Sequence, residues 1–397
     1  MTFAFRAALE QKWAVEFHLT KEEIGWVFSP AFWGFTLAMI FGGPLCDILG
    51  MKRLIGLAFI GHVAGIVIYM FASSPVMLFT GTLFIGIGNG MVEAACNPLI
   101  ISIYTQDKTT MLNRFHVWFP GGIVIGGLVA YFLINKLALD WHLVIGLLLV
   151  PVALYGYLFF ELDFPITERV HKEISTSTMF KSCLKPFFLL MILCMLLTSS
   201  TELGTGTWIT TLLQGANVSG ILILVFINGI MALGRFFAGP FVHKLHPNRM
   251  LIASAVFAAA GLILLSQSSG FSAFGAALVF ALGICFFWPT MLGFVSETMP
   301  ETGALGLSLM GGAGMLSVSF ILPVMGAWFD KAHNAVIASG INALQADNAA
   351  GSATFLKVAV MPACVFVIFT LIYFFNKNKI GENTDSQNYP ITKSIIK

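Results

Sequence analysis

Eleven apolar runs of 19–29 residues constrain this chain more than any other feature; they lie at about residues 25–47, 54–73, 76–104, 109–134, 141–160, 186–213, 218–243, 250–268, 271–295, 303–329 and 355–376. A helix of about 20 such residues crosses the hydrocarbon core of a bilayer. Lipid offers the backbone no hydrogen bonds, so each run must satisfy its own amides as a helix. Charged residues make up 10% of the chain and hydrophobic residues 57%, against about 25% charged in soluble domains. The fold class that follows is an all-α, polytopic membrane protein. Its net charge of +2 gives no case for a nucleic-acid partner. The six cysteines form no CxxC pair, so neither zinc nor a disulfide framework is indicated. The residues show no serine–histidine–acid set, phosphate loop or metal cluster, and neither an enzyme nor a cofactor is expected.

Charge placement orients the runs. Fourteen basic residues fall on one side: Lys52, Arg53, Lys108, Arg114, Arg169, Lys172, Lys181, Lys185, Lys244, Arg249, Lys377, Lys379, Lys393 and Lys397. Five fall on the other, Lys12, Lys21, Lys136, Lys331 and Lys357. The positive-inside rule then puts the C-terminus in the cytoplasm of a multi-pass protein of the cell membrane, as in a bacterial inner membrane. Trp26, Trp141 and Trp328 near run ends fit an aromatic belt, and His62 and His142 read as structural. The stretch Glu161–Lys185 holds eight charged residues and divides the chain. The expected organisation is an N-terminal half 1–160, a cytoplasmic linker 161–185, a C-terminal half 186–376 and a tail 377–397. A second polar stretch, Asp330–Ala353, is expected as an outer loop with at most a short helix.

The halves repeat. Gly43-Pro44 matches Gly239-Pro240 at an offset of 196, Asn97-Pro98 matches Trp288-Pro289 at 191, and Gly121-Gly122 matches Gly311-Gly312 at 190. Two parallel six-helix repeats around a midplane site are one transporter architecture. Trp13 pairs with Trp208 at an offset of 195, which makes the charged, half-apolar stretch Met1 to Leu19 the end of helix 1. The expected helix 1 is therefore truncated by about ten residues at its start. The other reading is an eleven-helix protein with an interfacial N-terminal helix.

Glu93 is the only charge between Val76 and Tyr104. A carboxylate near the middle of a spanning helix costs about 2.5–3.5 kcal/mol, so it should face a protein interior or a wet cavity. Asn97 follows one turn later, then Pro98. His116 on the next helix is a candidate partner for a shared proton, the alternative being a structural pair. Glu202 precedes Gly204, Gly206 and Trp208, where glycines loosen the helix; it suits substrate or an outer gate. Arg6 in helix 1 suits a carboxylate or phosphate, or a pairing with Glu93 or Glu202. Asn228, Trp288 and Thr290 are uncharged cavity candidates.

The segment Gly43-Pro44-Leu45-Cys46-Asp47-Ile48-Leu49-Gly50-Met51-Lys52-Arg53 resembles the loop 2–3 motif of the major facilitator superfamily, with Ile48 and Met51 in place of two expected bases. The C-half copy keeps Arg235, Gly239 and Pro240 but has His243 at the aspartate position. The resemblance implies the major facilitator fold, and a gate made by Gly43, Asp47, Lys52, Arg53 and Arg235. Within the superfamily, Glu93-Ala94-Ala95-Cys96-Asn97-Pro98, Leu112-Asn113, Trp288-Pro289-Thr290 and Gly311-Gly312 resemble the fucose/glucose–galactose proton symporter group. That likeness implies proton coupling and substrate binding at Glu93 and a binding role for His116. The group's helix 1 aspartate falls near Arg6-Ala7, where this chain has no acid.

The expected function is secondary active transport of a small polar solute, a sugar or sugar derivative such as a sugar acid. Alternating access with proton symport is the expected mechanism. Glu93 and His116 would couple the proton, and Glu93, Asn97, His116, Glu202, Trp208, Asn228, Trp288 and Arg6 would bind solute. Protons, the solute and the lipid bilayer are the partners, and a monomer is expected. The alternative is a drug/proton antiporter acting as an exporter, for which Phe119-Pro120-Gly121-Gly122 is a partial motif.

Overall fold

The computed structural model describes residues 1–19, 21–167, 170, 175–213, 216–218 and 220–383; the remainder of the linker and the tail from 384 lie outside the described residues. Helices account for nearly all of it, and ten are long and apolar enough to cross a membrane among the described residues. Six rods form the first half: α1 Thr2–Glu16, α2 Glu23–Leu49, α3 Met51–Met70, α4 Pro75–Ile103, α5 Lys108–Ile134 and α6 Trp141–Phe160. After a short linker helix, Thr176–Cys183, α7 spans Pro186–Leu212. The stretch Ala238–Leu265 holds one non-helical residue, His246 (φ 59°, ψ 155°). It is therefore two helices: 238–245 continues Gly220–Phe236 as α8, and 247–265 is α9. The last three are α10 Ser272–Thr298, α11 Pro300–Ala338 and α12 Ala343–Phe375.

That turn exposes the repeat in the backbone. Gly50, between α2 and α3, has φ 85° and ψ 155°, and His246 lies 196 residues later with nearly the same angles. This is the offset that relates Gly43-Pro44 to Gly239-Pro240. Glycine adopts this region freely, whereas a β-carbon there strains the backbone.

Helix α1 is a packed member of the first half and not an interfacial helix. Phe5, Leu9 and Trp13, spaced four apart along one face, are buried, with Trp13 against Tyr69 of α3 and Trp141 of α6. Trp141 is itself buried and donates its Nε1–H to Glu16 at 2.8 Å, so it leaves the expected aromatic belt. Inside each half the helices meet through glycine. A Cβ on Gly90 of α4 would lie 2.5 Å from the Phe35 carbonyl of α2, so only a bare backbone permits this approach. Outward faces stay apolar: Val150, Leu154, Tyr157 and Phe160 of α6 are exposed side by side, as lipid contact requires.

The stretch Asp330–Ala353 is not a loop with a short helix. Helix α11 runs on to Ala338, and α12 begins at Ala343, with Gly340 at φ 83° in the turn between them. Alanine favours helix, and the segment has no breaker before that glycine. At 1.5 Å per residue, the 36 residues Gly303–Ala338 reach about 54 Å, well past a core of about 30 Å.

The halves touch mainly through α2 with α11, α4 with α11, and α5 with α8 and α10. At the end that carries the linker the contact is tight. A Cβ on Gly43 would stand 2.8 Å from Ser308 Cβ of α11. Thr109 of α5 donates to Glu297 of α10 at 2.5 Å, and the last linker residue, Lys185, pairs with Glu301 of the C-terminal half at 2.8 Å.

Candidate functional site

Two prolines shape the middle of the molecule. Pro120 and Pro289 lack an N–H, so each leaves unbonded the carbonyl four residues earlier. Those carbonyls belong to His116 in α5 and Cys285 in α10, and each helix loses its regular turn there. Arg235 of α8 takes both: Nε donates to the Cys285 oxygen at 2.6 Å and Nη1 to the His116 oxygen at 3.3 Å. Nη2 donates to Glu202 Oε1 of α7 at 2.8 Å. Arg235 and Glu202 are 1% and 4% exposed, a fully buried ion pair. Glu202 stands in a π-helical turn, Ser200–Gly204, within α7; such turns re-aim side chains and recur at functional sites.

The N-terminal half supplies the other part. On α4, Asn97 Nδ2 donates to Glu93 Oε2 at 2.7 Å. A carboxylate only accepts, so the Asn97 amide oxygen faces the other way, toward His116 Nε2 at 3.1 Å. That oxygen also only accepts, so Nε2 carries a proton. In the neutral imidazole, His116 Nδ1 then presents a lone pair to Glu93 Oε1 at 3.6 Å. Two acceptors face each other across a gap too long for a hydrogen bond. One proton placed between them satisfies both. His116 is 3% exposed and the Glu93 side chain 18%.

Glu93, Asn97, His116, Arg235 and Glu202 therefore form one connected network across both halves. The structure places Arg235 at its centre, away from the turn at His246. Arg235 is the sole lysine or arginine between Gly220 and Val242, so hydropathy marks it as it marks Glu93. The roles of Pro120 and Cys285 follow only from the three-dimensional positions of their carbonyls.

The other candidates distribute around this network. Among the described residues, buried polar atoms without a partner include, on the C-terminal half, Glu202 Oε2, Ser199 Oγ, Thr205 Oγ1 and the indole nitrogens of Trp208 and Trp288, and, on α5, Thr110 Oγ1 and Asn113 Oδ1. Trp288 packs its ring against the backbone of Gly314, and Trp208 against that of Gly326. Thr290 accepts from Asn113 Nδ2 at 3.2 Å, which ties α10 to α5. Asn228 turns its amide back to the Leu224 carbonyl at 2.8 Å and makes no side-chain link to the network. Arg6 is buried on α1, over the rings of Phe3 and Phe28, and pairs with neither Glu93 nor Glu202. Away from the centre, Asp47 accepts from Thr167 Oγ1 at 2.6 Å, binding the linker to the α2–α3 turn. Lys52 and Arg53 stand exposed beside that turn, and Lys52 lines a cleft of about 300 Å³ with Asp47 and Asp163. Among the described residues no cluster of His, Cys, Asp and Glu could hold a metal ion.

A family model described as the Major Facilitator Superfamily matches residues 1–323. No curated protein matches the sequence. Among solved structures, the fucose:proton symporter FucP of E. coli is similar at 16% identity and a TM-score of 0.65, covering 91% of this chain and 95% of that one. The proton:xylose symporter XylE, bound to 6-bromo-6-deoxy-D-glucose, is similar at 15% identity and a TM-score of 0.70, covering 91% and 92%. The human organic anion transporter MFSD10 is similar at 12% identity and a TM-score of 0.65, covering 92% and 89%. At these identities the likeness is one of fold.

Proposed function

This chain belongs to the major facilitator superfamily of membrane transporters, and from that premise we propose that it couples proton movement to uptake of a small polar solute, a sugar or sugar derivative. The gap between His116 Nδ1 and Glu93 Oε1, 3.6 Å between two acceptors, carries this reading. It is a site for a single proton, buried midway along the helices and held by groups that a scaffold has no need to keep there. The proton-symporting neighbours FucP and XylE support it in kind.

In this mechanism the two halves rock about the central network, the domains being residues 1–160 and 186–376 joined by the linker 161–185. The linker end is shut by Gly43 against Ser308 and by Thr109 on Glu297, with Asp47, Lys52 and Arg53 at the adjoining turn. Solute arrives from the opposite end and meets the unpartnered donors Trp208 Nε1 and Trp288 Nε1 and the acceptor Glu202 Oε2, a set suited to hydroxyl groups. A proton on Glu93 closes the Glu93–His116 gap. Because Asn97 and Arg235 bond to side chain and carbonyl of the same histidine, that closure is felt in both halves. Opening the linker end separates Arg235 from the His116 carbonyl and releases solute and proton together.

The test is uptake of labelled L-fucose, D-xylose, D-glucose and D-glucuronate into proteoliposomes with an imposed pH gradient. Wild type should accumulate at least one of them with the gradient, and Glu93→Gln should exchange that solute across the membrane without accumulating it. Gradient-driven accumulation by Glu93→Gln equal to wild type would refute the proton role.

A further inference from the structure

We infer that the transported solute is an organic anion whose carboxylate pairs with Arg6, so that proton and solute cross together with no net charge. This rests on the transporter reading above. It starts from a contrast between two buried arginines. Arg235 has its guanidinium committed to Glu202 and two carbonyls. Arg6 is 6% exposed, yet among the described residues its single acceptor is the Phe28 carbonyl, at 3.5 Å from Nη1. Its other surroundings are aromatic: the guanidinium carbon lies 4.5 Å from the centre of the Phe3 ring and 5.7 Å from that of Phe28. Aromatic faces tolerate the cation but accept none of its N–H bonds. The nearby Tyr69 hydroxyl donates to Thr82 Oγ1 at 2.5 Å, and no hydrogen bond joins it to Arg6 among the described residues. A guanidinium edge with free donors is the geometry that receives a carboxylate through two parallel bonds.

The position fits the same pathway. Phe3, one turn before Arg6, packs on Phe32 of α2 and Phe119 of α5. Phe119 lies one turn beyond His116. The rings of Phe3 and Phe119 thus join the helix of Arg6 to the helix of His116.

Charge balance supplies the second, independent reason. The buried ionisable groups of the central region are Glu202, Arg235, Glu93, His116 and Arg6, and His116 counts as neutral in both states of the carrier. Glu202 and Arg235 cancel. In the empty carrier an ionised Glu93 balances Arg6. When Glu93 takes a proton on its carboxylate, Arg6 is left as one uncompensated positive charge. A charge moved through low-dielectric surroundings is costly. A neutral solute leaves that excess in place, whereas a monoanion removes it. With an anion, both the loaded and the empty carrier have a neutral interior, and both can change conformation. The proton that enters on a Glu93 oxygen leaves from it unchanged on the other side, and no covalent bond is made or broken in the solute.

Purified wild type in proteoliposomes decides this, with D-glucuronate, D-gluconate and lactate as acids and D-glucose and L-fucose as neutral probes. Expected for the acids are thermal stabilisation of the protein, uptake with lumenal acidification read by an entrapped pH dye, no sustained current on a solid-supported membrane, and uptake indifferent to a valinomycin-set potential. Arg6→Gln should weaken acid binding by about tenfold or more, the loss of one charge-assisted pairing, and Arg6→Lys by less. Should Arg6→Gln aggregate, the current measured on wild type decides alone. Neutral sugar uptake carrying a positive current, with no acid bound, overturns the anion inference and leaves the transporter reading intact. Acid binding unchanged in Arg6→Gln overturns the assignment to Arg6. Movement of none of the five probes under any gradient overturns the transporter reading itself.

Discussion

Removing one member of the Glu202–Arg235 pair should destabilise the protein more than removing both. Glu202→Gln keeps an amide oxygen that can accept from Arg235, and the bonds to the Cys285 and His116 carbonyls remain; what is lost is the counter-ion of a guanidinium that is 1% exposed. Stranding one charge of a buried pair costs roughly 3–5 kcal/mol, and the retained bonds put this variant near 3 kcal/mol. Arg235→Met strands the Glu202 carboxylate, which already has one unpartnered oxygen, and frees both carbonyls. At about 0.6 kcal/mol for each hydrogen bond in a membrane protein, its cost rises to about 5 kcal/mol. The double variant Glu202→Met/Arg235→Met leaves no buried charge and should lie within about 2 kcal/mol of wild type. Thermal unfolding of purified protein, followed by tryptophan fluorescence, reads these as falls of roughly 6, 10 and 4 °C at about 2 °C per kcal/mol. A double variant as unstable as the two singles combined would refute the reasoning, because two independent sites add and a coupled pair does not.

Further outcomes follow from local geometry. His246→Gly should raise the melting temperature, since the residue at φ 59°, ψ 155° stores about 1–3 kcal/mol of backbone strain that glycine lacks; no change would mean the turn relaxes. Gly90→Leu should abolish folded yield, because its Cβ alone would sit 2.5 Å from the Phe35 oxygen, and a normal size-exclusion profile would contradict this. Gly43→Leu should pry the linker end open against Ser308 and Leu305, read as greater maleimide labelling of a cysteine introduced at Ser308, with unchanged labelling the contrary result. Burial next to Glu301 pushes the Cys183 thiol up to about 11, so its thiolate is scarce below that pH; alkylation of Cys183 should stay slow at pH 7–8 and quicken only as pH nears 11, and fast reaction at pH 7–8 would contradict this.

The number and order of spanning helices were legible in the sequence because lipid enforces a one-dimensional rule: a run of apolar residues long enough to cross must be a helix. The same rule marked Glu93, an expensive charge in such a run, and the matched doublets gave the two halves. It failed at Asp330–Ala353, where polar composition suggested a loop and alanine-rich helix prevailed, since outside the hydrocarbon polarity does not oppose helix. It also offered Arg6 as a partner for Glu202, whereas the partner in the structure is Arg235.

By itself, then, the sequence determined the membrane class, the repeat, and which buried ionisable side chains must have work to do. Tertiary structure alone decided which of them meet. Arg235 reaches Glu202 33 residues away and the His116 carbonyl 119 residues away, because a π-helical turn re-aims one side chain and a proline four residues on frees the other acceptor. Hydropathy measures how costly a charge is in lipid, but not the direction in which its side chain leaves the helix. Direction is fixed only when the helices are packed, and it left one arginine held by a carboxylate and two carbonyls and the other, Arg6, facing aromatic rings with one carbonyl acceptor among the described residues.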